Sequence, residues 1–97
     1  MVSHPEPTLA LLDAGRRDAP FDLDLPVPQG VRGEVTALND QHAFLTLAPE
    51  QEVSIGQVVR LGLSHPCTAF DKWRVAVIID DPDGADPRVI GAVATCF

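Results

Sequence analysis

The chain has 97 residues, 45% of them hydrophobic, with four Phe, one Trp and no Tyr, a composition that suits one small domain with an aliphatic core. A formal net charge of −7 with only seven Lys and Arg argues against nucleic acid and anionic membrane surfaces as partners, because both demand clustered positive charge. No apolar run approaches the roughly 18 residues of a membrane span and no charged-then-apolar signal segment opens the chain, so a cytoplasmic protein with free thiols at Cys67 and Cys96 is expected.

Met1 to Pro7 is polar, holds two prolines and reads as a loose lead-in. Thr8 to Leu12 is a short apolar run that predicts a strand, and Asp13 to Asp18 reads as the turn and loop that leave it. Ala19 to Gly30 contains Pro20, Pro26, Pro28 and Gly30, which forbids helix and predicts an extended connector, with the acidic stretch from Asp18 to Asp24 solvated. Residues 1–30 are therefore expected to be a lead-in strand and Pro-rich connector, and residues 31–97 a β domain.

From Val31 the pattern is regular. Val31 to Leu38 and Ala43 to Leu47 read as strands joined over Asn39 and Asp40 into a hairpin, and Ala48-Pro49-Glu50 ends the second. Gly56 turns the chain into a third strand, Val58 to Leu63, with Ser64-His65-Pro66-Cys67 at its far end. Trp73 to Asp80 is a fourth strand with Val75, Val77 and Ile79 on one face and Ala76 and Ile78 on the other, a pattern that predicts cover on both faces. Asp81 to Pro87 is a strong turn signal, and Val89 to Phe97 supplies the last strand. Without any stretch of helical period, the expected fold class is all-β: a small barrel or Greek-key sandwich of five core strands, with Thr8 to Leu12 as a sixth.

Reactive side chains concentrate between Gly62 and Arg74. His65 and Cys67 are two residues apart, so on an extended segment their side chains leave one face and could share a metal ion, with Pro66 stiffening the backbone between them. Two protein ligands leave coordination positions open, which describes a Lewis acid better than a structural staple, and a thiolate favours zinc over magnesium or manganese. His4, His42 and Asp71 are the only plausible additional ligands. By themselves, however, a histidine at a strand end and a nearby buried cysteine also pack as ordinary structure, Trp73 reads as a core or rim anchor, and Arg74 as a solvated or ion-paired neighbour. Asp71, Asp40 and His42 read as turn residues and Cys96 as a small buried hydrophobe.

Leu38-Asn39-Asp40-Gln41-His42, Gly56-Gln57-Val58-Val59-Arg60, the run Ser64 to Arg74 and the closing Val89-Ile90-Gly91-Ala92-Val93 together resemble the C-terminal part of the D-threonine aldolase and D-serine dehydratase family. Leu11 to Arg17 is similar to the segment where those enzymes leave their first domain. These are pyridoxal-phosphate enzymes of the alanine-racemase-like type, with an N-terminal α/β barrel that holds the cofactor and a C-terminal β domain. The resemblance implies that His65 and Cys67 bind a divalent metal that engages the hydroxyl of a D-3-hydroxy amino acid. Cysteine at the second position is similar to the zinc-dependent dehydratases, whereas aspartate there accompanies manganese or magnesium in the aldolases. Thr68 to Arg74 is closer to amino-acid aldolase or deaminase relatives, which leaves dehydration and aldol cleavage both open.

Lys72 is the only lysine and lies inside the metal loop, and no Gly-rich phosphate cradle opens a helix. The resemblance therefore implies a C-terminal domain that is inactive alone, lacks the pyridoxal-phosphate lysine, and works beside a barrel domain that it does not contain. Homodimerisation through the surface a barrel would cover is a further expectation. The alternative reading is a stand-alone acidic β-barrel that binds a small ligand or protein without metal.

Overall fold

A computed structural model describes residues 1–96 of the chain. The all-β class holds: eight short strands lie in antiparallel sheets, with one short helix. They are β1 (Ser3–Glu6), β2 (Leu9–Leu12), β3 (Val27–Gln29), β4 (Gly33–Leu38), β5 (Ala43–Leu47), β6 (Arg60–Gly62), β7 (Val75–Ile79) and β8 (Val89–Ala94), with helix α1 (Ala69–Lys72) before β7. Among the described residues the strands form one four-stranded sheet, in the order β1-β2-β5-β4, and two separate ribbons, β3-β6 and β7-β8. Of the two forms expected, barrel or Greek-key sandwich, no closed barrel is present among the described residues. No helix among the described residues is long and apolar enough to cross a membrane.

The four-stranded sheet carries the core. Strict alternation in β5 buries Ala43, Leu45 and Leu47 on one face, and β2 adds Ala10 and Leu12 to that face. In β4 the buried residues are Val35 and Leu38, three apart rather than two. A bulge at Thr36 accounts for this, because Val35 pairs with Leu45 and Ala37 already pairs with Phe44, which restores the inward phase at Leu38. Leu25, Val31, Val53, Val59 and Leu61 pack on this face from the connectors and β6. The residues before Pro7 are more than a loose lead-in, since Ser3–Glu6 pairs with β2 and Met1 is buried in the core.

The Pro-rich connector also contributes a strand. Val27, Pro28 and Gln29 pair with Gly62, Leu61 and Arg60, a position that tolerates proline because a two-stranded ribbon leaves one edge unpaired. The expected third strand shrinks accordingly to Arg60–Gly62.

β7 and β8 depart furthest from expectation. Val75, Val77 and Ile79 are 52%, 62% and 39% exposed and Ile78, on the opposite face, is 44% exposed. Among the described residues β7 and β8 contact each other and no other strand or helix. The expected cover on both faces is therefore absent among the described residues, although the apolar pattern is that of an interior ribbon. Cys96, expected to be buried, is exposed and unbonded, because it follows a strand that has no core beneath it. Phe97, the end of the expected last strand, lies outside the described residues.

At the tip of this ribbon Asp80 acts as a clip. Its Oδ1 accepts from the backbone N–H of Asp81 at 2.7 Å and of Arg88 at 2.9 Å, while its own N–H donates to the Arg88 carbonyl at 3.0 Å. These bonds, with that from Arg88 first, hold the Asp80 carboxyl below its ordinary value of 3.8. A carboxylate whose folded pKa is depressed stabilises fully above its ordinary pKa and stops doing so as pH falls through the lowered folded value. Hydrogen exchange should therefore show the Arg88 and Asp81 amides losing protection on acidification below about 3.8. Asp80→Ala should remove that protection at neutral pH, and Asp80→Asn should make it pH-independent. In the core, Leu45→Ala should cost about 2–5 kcal/mol in denaturant unfolding, since Leu45 is fully enclosed.

Candidate functional site

The segment after β6 was expected to be extended and is not. His65 (φ −136°, ψ 85°) is neither helical nor regular strand, and Pro66–Thr68 then form a single 3-10 turn that runs into α1. The His-x-Cys pair is therefore not on a strand, and the pleat that would place both side chains on one face does not operate. His65 is half-buried at the turn's entry, and Cys67, in the middle of the turn, is an exposed free thiol.

The partner of His65 comes from the other half of the chain. Asp22 Oδ2 lies 2.7 Å from His65 Nδ1, and Asp22 Oδ1 accepts from the Thr68 hydroxyl at 3.5 Å. The bond to His65 is the main cause that holds the Asp22 carboxyl below the usual carboxylate range. An ionised carboxylate can only accept, so Nδ1 of His65 is the donor of this pair. Asp22 was expected to be solvated, and nothing local in the sequence marks it, since its partner is 43 residues away.

Neighbouring contacts fix the same connector along its length. Ser64 Oγ meets both the N–H and the carbonyl of Asp24, at 3.2 and 3.1 Å, and the Trp73 indole donates to the Asp18 carbonyl at 2.7 Å. Trp73 is thus a rim anchor, as expected, with the acidic loop as its mooring. Lys72 Nζ donates to the Arg16 carbonyl at 2.8 Å and lies 5.7 Å from the centre of the Phe21 ring, which Arg16 also approaches at 5.3 Å. Asp71, Lys72 and Thr68 face Pro20, Phe21 and Asp22 across an open cavity of about 250 Å³.

The connector is anchored on its other side to the hairpin turn between β4 and β5. The Arg16 and Arg17 amides donate to the Asn39 and Asp40 carbonyls at 2.9 and 3.1 Å. Gly15 makes that approach possible: a Cβ there would overlap the Asn39 carbonyl oxygen and lie 2.6 Å from backbone atoms of Asp40 and Gln41. The turn itself is an Asx structure, with Asn39 Oδ1 accepting from the amides of Gln41 and His42.

Of the other residues considered as ligands, Asp71 on α1 shares a cavity with Asp22 and Thr68, whereas His42 and His4 are placed elsewhere. His42 lines a separate depression with Arg16, Arg17 and Asp40, and the His4 ring lies against the Pro7 carbonyl. Among the described residues no group of three or more His, Cys, Asp and Glu side chains is placed to hold one metal ion.

Residues 1–79 match the family model described as "Putative serine dehydratase domain", a span that includes the connector, His65 and Cys67. The chain belongs to this serine dehydratase family. No curated protein matches it. Serine dehydratases of this family are pyridoxal-phosphate enzymes, and the domain is one part of a larger dehydratase. Lys72, the one lysine of the sequence, donates its ammonium to the Arg16 carbonyl in this serine dehydratase domain.

The close approach at Gly15 is testable through stability. Gly15→Ala forces backbone against backbone, where no flexible side-chain end can move away. It should destabilise the domain by about 1–3 kcal/mol and broaden the His65 and Trp73 resonances as the connector lifts off the turn. An unchanged Tm together with unchanged resonances would show that the connector is held from the Trp73 side alone.

Proposed function

We propose that this domain supplies a zinc half-site to a pyridoxal-phosphate-dependent dehydratase that acts on D-3-hydroxy amino acids, with His65 Nε2 and Cys67 Sγ as the two protein ligands. The observation that carries this reading is the Asp22 carboxylate 2.7 Å from His65 Nδ1. A carboxylate on the far nitrogen of an imidazole fixes the tautomer, orients the ring and raises the basicity of the ligating nitrogen, which is the usual support of a metal-binding histidine. Nothing in the packing of a half-buried surface histidine requires such a partner.

The donor set suits zinc. An imidazole and a thiolate together prefer a borderline-soft ion to magnesium or manganese, and the exposed, unbonded Cys67 thiol is free to ligate. A zinc ion held by two protein groups would act as a Lewis acid on the substrate hydroxyl, with positions left for substrate and for groups outside this domain. The residues of the chain hold and aim that ion. Asp22 positions His65, Pro66 restricts the backbone between the two donors, and Thr68 donates to the second oxygen of Asp22.

Cobalt(II) titration is the direct test, because a cobalt–thiolate bond has its own charge-transfer absorption. That band should vanish in Cys67→Ala, and affinity should collapse in His65→Ala. Asp22→Ala should weaken binding about 10- to 100-fold while leaving the band in place at saturation. Cobalt affinity that neither His65→Ala nor Cys67→Ala changes would refute the half-site.

A further inference from the structure

We infer that Lys72 is a positioning residue for His65: its ammonium, set against the Arg16 carbonyl and the Phe21 ring, fixes the piece of connector that brings the Asp22 carboxylate onto the imidazole. The inference rests on the reading above that His65 ligates a metal, and extends it to a residue outside the donor set.

A surface lysine ordinarily lays its stem on the protein and leaves its ammonium to water. Lys72 does not. Its Nζ donates to the Arg16 carbonyl at 2.8 Å and lies 5.7 Å from the centre of the Phe21 ring, so one side chain reaches the connector at two points. Phe21 is the chain neighbour of Asp22, is 42% exposed and does not belong to the core cluster. Arg16 also approaches this ring, at 5.3 Å, but Arg16 and Phe21 both belong to the connector, and their contact closes the connector on itself. Lys72 is the cation that links the ring to α1.

The segment that carries the two donors needs such a link. Helix α1 is a single turn with no buried residue, too short to persist by its own hydrogen bonds. The Thr68 hydroxyl at its N-cap makes no cap bond to the helix and donates instead to Asp22 Oδ1, at 3.5 Å, the long limit of a hydrogen bond. One oxygen of Asp22 is therefore held firmly, by His65, and the other weakly. An exposed pair of this kind is worth little in isolation, so the fraction of time that it is formed depends on what fixes the two backbones. Ser64 and Trp73 tie the ends of the donor segment to Asp24 and Asp18. Lys72 adds the contact nearest in the chain to Asp22 itself.

NMR of the 97-residue chain tests this without metal. With His65 neutral, its imidazole 15N shifts should move in Lys72→Met part of the way toward those of a free imidazole, and Lys72→Arg, which keeps a cation and donors, should restore them. Phe21→Leu should reproduce the Lys72→Met change, and the double variant should show little more than either, since the two residues act as one contact. Protected β2 and β5 amides check folding. Cobalt should bind about two- to fivefold more weakly to Lys72→Met, the loss expected of a cation–π contact at an exposed site, with an unchanged thiolate band at saturation. Unchanged His65 shifts in Lys72→Met, or in Phe21→Leu, would overturn the inference. So would a Trp73 emission in Lys72→Met that moves to that of a solvated indole, because Lys72 would then hold α1 as a whole. The two proposals fail separately: His65 shifts that respond to Lys72→Met in a chain giving no cobalt–thiolate band refute the half-site alone, and a normal band with unresponsive shifts refutes the positioning alone.

Discussion

The close backbone approach at Gly15 is the constraint on which the arrangement of this domain depends. Without a Cβ at that position, the connector lies directly on the Asn39–Gln41 turn and exchanges backbone hydrogen bonds with it. Asp18 then folds the connector back, through the Gly15 amide and its own N–H to the Gly15 carbonyl. The strip from Arg16 to Asp24 that results has one side on the core hairpin and the other side offered to Ser64, His65, Lys72 and Trp73. The position of His65 is therefore inherited from the most buried part of the molecule through an intermediate layer of backbone carbonyls and one carboxylate. Each of these exposed contacts is worth little singly, but they act on one strip of chain whose backbone is already fixed, so little further conformational entropy is lost in making them.

Strands β2, β4 and β5 of the core sheet were legible because a half-buried sheet writes its phase into the sequence, whereas the edge strand β1, polar and holding Pro5, was read as a loose lead-in. Ala43, Leu45 and Leu47 alternate without interruption, and β4 departs from alternation only where Thr36 bulges. The His65–Asp22 pair was not legible, since a contact across 43 residues leaves no local trace and an aspartate between prolines looks like any solvated loop. The helical turn at Pro66–Lys72 escaped for a different reason, being shorter than any window in which a helical period can be recognised. Pro66 was read as a stiffener of an extended segment, whereas proline at the first position of a helical turn does the opposite and starts one. The family resemblance, carried by residues on both sides of this turn, was independent of that local error and holds for the match to residues 1–79.

The apolar alternation of β7 was read as that of a strand covered on both faces, and among the described residues both faces are exposed. Periodicity reports which residues share a face, whereas burial depends on whether another layer packs there. Edge and face exposure of this kind is costly to leave unmanaged, which makes the uncharged composition of both strands informative. The charges are instead placed at the tip, on Asp80, Asp81, Asp83 and Asp86. There they shape the turn and keep the ribbon's end in water.

Stability is graded across the molecule, and the gradient bears on function. The buried aliphatic side chains belong to the four-stranded sheet or to Met1 beside it, and Gly15, Pro20 and Pro26 of the connector are buried as well, while the Pro66–Thr68 turn and α1 contain no buried residue. The segment carrying His65 and Cys67 is thus located by hydrogen bonds and by the root of the ribbon, with no core of its own. Such segments open locally at low cost, and any contact that orders the ribbon root also narrows the conformations available to the two donors. A ligand that orders this segment must supply the ordering free energy as it binds, so its apparent affinity falls with the fraction of chains in which the segment is already closed. The Asp22–His65 contact, made from the strip of chain fixed on the core hairpin, raises that fraction.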